Sequence, residues 1–131
     1  MGLINRDTDY AVRALCFISR YKDRLVSVSE LVKELKMPRP FLRKILQVLN
    51  KEGILKSHKG KRGGFRLNCS VEKIFLVDLI EAFQGPLRLN ECIFKKKICP
   101  DREVCVLRMR ISAIEEHVVS ELKTITLASL M

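Results

Sequence analysis

No stretch of this 131-residue chain approaches the roughly 20 consecutive apolar residues that a membrane span needs. Its opening, Met1-Gly2-Leu3-Ile4-Asn5-Arg6-Asp7, lacks the apolar region of a secretion signal. Arg6 stands where N-myristoylation of Gly2 would need Ser or Thr, so that anchor is excluded too. These absences imply a cytoplasmic protein with no membrane partner. Histidine is scarce: His58 and His117 are the only two, and no Ser/His/Asp or Cys/His constellation takes shape, which argues against an enzyme. Internal repeats and low-complexity tracts are also missing. Acids are nearly absent from one segment. Between Lys36 and Arg66 there are ten Lys/Arg and one carboxylate, Glu52, while the rest of the chain is close to neutral within a total of +10. Charge so concentrated suits a polyanion, because each phosphate neutralised releases condensed counterions.

The chain is 47% hydrophobic and 31% charged, enough for one small folded domain with an appended element. Asp7 can cap a first helix reaching about Tyr21, with Tyr10, Ala14, Phe17, Ile18 and Tyr21 at helical spacing. Ser27-Val28-Ser29-Glu30 reads as a capping box opening a short helix that buries Leu31, Val32 and Leu35. Lys36-Met37-Pro38 makes a turn. A third helix, from about Pro38 or Arg39 to Lys51, carries the stripe Leu42, Ile45, Leu46 and Leu49, and Gly53 ends it. Two strands, 54–59 and 65–67, flank Gly60-Lys61-Arg62-Gly63-Gly64, whose three glycines are expected to supply positive φ angles. Ser70 is a candidate cap for a fourth helix bearing Ile74, Leu76, Val77, Leu79, Ile80 and Phe83, closed by Gly85-Pro86. Residues 87–103 read as an irregular loop. A long final helix from about Val104 to Leu122 presents Val104, Leu107, Ile111, Ile114 and Val118 on one face. The division expected is 1–86 for the first unit and 87–131 for loop, long helix and tail.

Two short helices joined by a tight turn, then a basic glycine-tipped hairpin, describe a winged helix-turn-helix: a mainly α fold with a small β-hairpin wing. The third helix opens with Arg39, Phe41, Arg43 and Lys44, in the turn that such proteins insert into the major groove of duplex DNA. Arg39 or Arg43 can fork onto guanine edges, and Lys44 suits phosphate. Phe41 can either pack on the core or lie against sugar and a thymine methyl. Wing residues Lys59, Lys61 and Arg62 suit phosphates or a narrow minor groove. Ser29 and Gly63 complete the candidate DNA-binding set.

Five cysteines remain to be placed. Cys16, among apolar residues, and Cys69, beside the wing, read as structural. Cys92, Cys99 and Cys105 cluster around Lys95, Lys96 and Lys97, whose charge favours the metal-binding thiolate. Zinc usually shows paired C-x-x-C spacing, which is absent, while iron–sulfur clusters accept three cysteines and another ligand. On spacing alone, metal binding, unbound redox thiols and incidental packing all stay open.

Together these segments resemble the IscR/NsrR family of winged-helix iron–sulfur regulators over nearly the whole chain. The resemblance rests on Asp9-Tyr10-Ala11-Val12-Arg13-Ala14-Leu15, Pro38-Arg39-Pro40-Phe41-Leu42, the wing from Leu55 to Phe65, the three-cysteine loop, and Ile125-Thr126-Leu127. It implies a transcription regulator, a homodimer joined through the long helix, a near-palindromic operator, and a 2Fe–2S or 4Fe–4S cluster on Cys92, Cys99 and Cys105. Members with a 2Fe–2S centre can use a histidine three residues after the last cysteine, where this chain has Arg108. The nitric-oxide-sensing branch uses an aspartate of the first helix, and Asp9 stands there, so the resemblance makes Asp9 of the partner subunit the fourth metal ligand. Its other reading is a helix N-terminal acid stabilised by the macrodipole. The alternative to cluster control is a cluster-free regulator switched by thiol oxidation.

Overall fold

Helix α1 (Arg6–Ser19) begins where Asn5 turns extended and its side chain accepts the Thr8 amide at 2.8 Å. Asn5, not Asp7, is the cap. Asp7 already lies inside the first turn with Asp9, where negative charge complements the free amides of the helix end. The computed structural model describes residues 2–89 and 105–131. Ala11, Ala14, Leu15 and Ile18 of α1 are buried at the spacing of a single helical face. Tyr10 is only partly buried. Tyr21 lies beyond the helix, its ring 5.3 Å from Phe17 and covered by the Arg24 guanidinium at 4.1 Å.

Helix α2 (Val28–Leu35) starts at Ser27, whose Oγ accepts the Glu30 amide at 3.1 Å. The reciprocal half of the capping box is replaced: both Glu30 carboxylate oxygens take the Arg24 guanidinium fork instead. That hydrogen bonding holds the Glu30 carboxyl below its ordinary range. Lys36 then turns left-handed, at φ +54°, with its amide on the Val32 carbonyl, and stops the helix one residue before buried Met37. Helix α3 (Arg39–Lys51) follows from Pro38 and buries Leu42, Ile45, Leu46 and Leu49 as its stripe requires. Gly53 closes it at φ +79°, with the Ile54 amide on Leu49 and the Gly53 amide on Asn50.

Strands β1 (Leu55–His58) and β2 (Gly64–Leu67) pair antiparallel, with Leu55 opposite Leu67 and His58 opposite Gly64. Val26 flanks β2 through an isolated antiparallel bridge, exchanging two backbone hydrogen bonds with Phe65 at 2.9 and 2.8 Å. Only Gly60 of the wing glycines has positive φ, +114°. Gly63 and Gly64 are needed for closeness instead: a Cβ on Gly64 would lie 2.6 Å from the Val26 carbonyl oxygen, and one on Gly63 would collide with that of His58.

Ser70 heads a 3-10 turn, Val71–Lys73, and makes no side-chain cap there. Helix α4 (Leu76–Gln84) starts later, after Phe75, because the preceding backbone is held extended by the tail. Phe75 bridges Thr126, the Leu76 amide bonds Ile125, and the Leu127 amide bonds Ile74. Gly85, at φ +77°, ends α4. Helix α5 (Val106–Leu122) follows Cys105; Val104 of the expected helix lies outside the described residues.

The main core joins α1, α2, α3, β1 and α4 with Leu127 of the tail, each fully buried Leu or Ile contributing about 1.5–3 kcal/mol. A smaller cluster packs Leu76, Val77 and Ile80 of α4 against Leu122, with Val118 and Val119 alongside. The carboxyl end of α5 is thus anchored. On its amino half Leu107 is 68% and Ile114 53% exposed. Fold class is as the sequence indicated, mainly α with a two-stranded wing.

Candidate nucleic-acid interface and cysteine site

Pro38 opens α3 without a side-chain cap, and Arg39, Phe41, Arg43 and Lys44 all lie within the six residues that follow it. All four of those side chains are exposed, as is Ser29 at the start of α2. Arg39 donates to the Ser29 hydroxyl across 3.1 Å, which pins one arginine over the helix-turn-helix elbow. Asn50, at the far end of α3, accepts the Ser57 amide at 3.2 Å and fixes the wing relative to the helix. Lys59, Lys61 and Arg62 project from the wing, with Gly63 partly covered beneath them. The fold therefore gathers the candidate DNA-contacting residues at the α2–α3 elbow and at the wing tip. Phe41, left open by the sequence, lies under the guanidinium of Arg6, whose carbon is 4.4 Å from the ring centroid. Nothing in the spacing marked Arg6; a single arginine at a helix start carries no periodic signal.

The cysteine site is only partly within view. Cys92 and Cys99 lie outside the described residues, as do Lys95, Lys96 and Lys97. Cys105 is half-buried, takes no part in a disulfide, and stands at the N-cap of α5. Its side chain makes no capping hydrogen bond to the 17-residue helix that follows. Asp9 is half exposed and pairs with Arg13 one turn on, Oδ2 to Nε 2.9 Å. Among the described residues no group of three or more His, Cys, Asp or Glu converges as a metal site. Cys16 and Cys69 are partly buried, and that burial pushes both thiols up, with Arg20 and Lys73 opposing weakly. That direction disfavours the thiolate at both positions.

The profile of one family, described as an iron-dependent transcriptional regulator, matches residues 4–131. This chain belongs to the Rrf2 family. It is 40% identical over 92 residues to a protein of Aquifex aeolicus (strain VF5) described as an HTH-type transcriptional regulator. That match covers 70% of the chain and 64% of the relative's length. Among solved structures, CymR (YrzC), the global cysteine regulator of B. subtilis, superposes with a TM-score of 0.79 at 21% identity, over 99% of this chain and 96% of that one. T. potens IscR superposes with a TM-score of 0.66 at 25% identity, over 97% and 84%. The Rrf2 fold of winged-helix regulators is shared with both. Among the described residues no helix is long and apolar enough to cross a membrane.

Proposed function

We propose that this Rrf2 regulator binds duplex DNA as a homodimer and that its operator affinity is set by an iron–sulfur cluster. The observation that carries the DNA half is the exposed ring of Ser29, Arg39, Phe41, Arg43 and Lys44 around the open amino end of α3, with Lys59, Lys61, Arg62 and Gly63 on the adjoining wing. Forked arginines suit base edges and the wing lysines suit phosphate. The exposed apolar amino half of α5 supports a second copy as its cover.

The donor set fits a cluster by its chemistry: Cys92, Cys99 and Cys105 are soft thiolate donors, and Asp9 of the partner subunit is a half-exposed carboxylate held only by a surface ion pair. A 2Fe–2S or 4Fe–4S group held there would supply redox and nitric-oxide reactivity. The chain's own part is mechanical. Cys105 sits at the root of α5, and Asp9 one turn into α1, so ligation would join the long helix to the opposing reading domain. Release of either residue leaves those elements free to change the spacing of the two α3 helices.

The likeness to the cysteine regulator CymR favours a second reading, in which the three cysteines act as cluster-free thiol switches. Protein purified anaerobically separates the two. Iron, sulfide and visible absorption, lost in Cys105→Ser, are expected. Colourless, iron-free protein whose gel shift responds to diamide and dithiothreitol would establish the thiol reading instead.

A further inference from the structure

Arg6 reaches the reading surface from a different element than the rest of the basic set. It is the first residue of α1, its side chain is 58% exposed, and its guanidinium rests on the face of Phe41 in the first turn of α3. A guanidinium laid on a ring loses rotamer freedom yet keeps the N–H donors along its edge available. Among the described residues its ion-pair partner is Asp7, with Oδ1 3.6 Å from Nε, a surface pair that offsets the charge only weakly. The backbone behind Arg6 is fixed as well. Gln84 Oε1 accepts the Asn5 amide at 2.9 Å and lies 2.7 Å from the buried Thr8 hydroxyl, and Gln84 Nε2 donates to the Leu3 carbonyl at 3.2 Å. Arg6 is therefore a preplaced cation at the rim of the helix that enters the groove.

We propose that Arg6 is a DNA-backbone contact, taking a phosphate beside the groove occupied by α3, with Phe41 as the residue that positions it. The proposal rests on the reading of α3 and the wing as a duplex-binding surface. It gives Phe41 a platform role in place of contact with a thymine methyl, and it extends the interface onto the helix that also carries Asp9.

The test is fluorescence anisotropy with a labelled random-sequence duplex of about three helical turns, titrated between roughly 50 and 200 mM salt. Arg6→Ala is expected to weaken binding several-fold and to reduce the salt slope by about one per subunit. Arg6→Lys should restore the slope while recovering only part of the affinity. Phe41→Leu, which keeps the charge but removes its rest, should weaken binding by less than Arg6→Ala with the slope near wild type. If Arg6→Ala matches wild type, or loses affinity at an unchanged slope, while Lys59→Ala is weakened with a reduced slope, Arg6 has no phosphate and the proposal falls alone. If the unmutated protein ignores the duplex even at low salt, the reading beneath it falls too.

Discussion

A methyl group at position 64 would sit 2.6 Å from the Val26 carbonyl oxygen, inside the contact that joins Val26 to Phe65. Gly64→Ala should therefore push the wing off the Val26 bridge, at a cost on the order of 3 kcal/mol and a melting temperature lower by about 10 °C. Gly53→Ala meets open space and bears only the left-handed penalty of its φ, about 1–2 kcal/mol. Equal thermal shifts for the two variants would refute the crowding explanation. The thiols make a second prediction at this scale. Because burial raises Cys16 and Cys69, iodoacetamide at neutral pH should label them more slowly in native than in unfolded protein, with the gap narrowing as pH rises through the thiol range. Single residues were also the least legible part of the sequence. Asp7 was read as the cap of α1, and the backbone geometry gives that place to Asn5, two residues earlier. The wing glycines announced a tight loop, but their spacing could not separate a need for positive φ from a need for bare backbone. Arg6 and Gln84 act across long sequence separations that no local pattern encodes.

Helices, in contrast, were legible because burial imposes a period. The stripe Leu42, Ile45, Leu46, Leu49 placed α3 and, with it, the face left for Arg39, Arg43 and Lys44. The start of α4 was misread because Ser70 looks like a cap, while the tail that holds Ile74 and Phe75 extended lies some fifty residues away. Helix α4 is gripped at both ends, by the tail at its start and through Gln84 by the first turn of α1. Gln84→Ala removes the acceptor for the Asn5 amide and a partner of the buried Thr8 hydroxyl. The expected loss is about 1–2 kcal/mol, with faster amide hydrogen exchange confined to the first turn of α1. Exchange unchanged there would show that the clamp does not hold α1 in solution. The cysteine triad was legible as a cluster in the chain, whereas its ligand role is a matter of chemistry that periodicity cannot reach.

At the scale of the whole molecule, α5 is tied down at Leu122, while Val106, Leu107, Met109 and Ile114 of its amino half are exposed. If the proposed dimer forms through this face, Leu107→Glu or Ile114→Glu should give monomer in sedimentation velocity and weaken operator binding by removing the second reading helix. A dimer that survives both substitutions would place the interface elsewhere. The tail has a consequence of another kind. Leu127 is buried in the same core as Leu15 and Leu46, and its amide is bonded to Ile74. The core that carries α3 is therefore completed on the ribosome only after Leu127 has left the exit tunnel, by which time the entire cysteine segment has been made. A chain cut short before that codon would lack this buried leucine and leave a cavity between α1, α3 and α4.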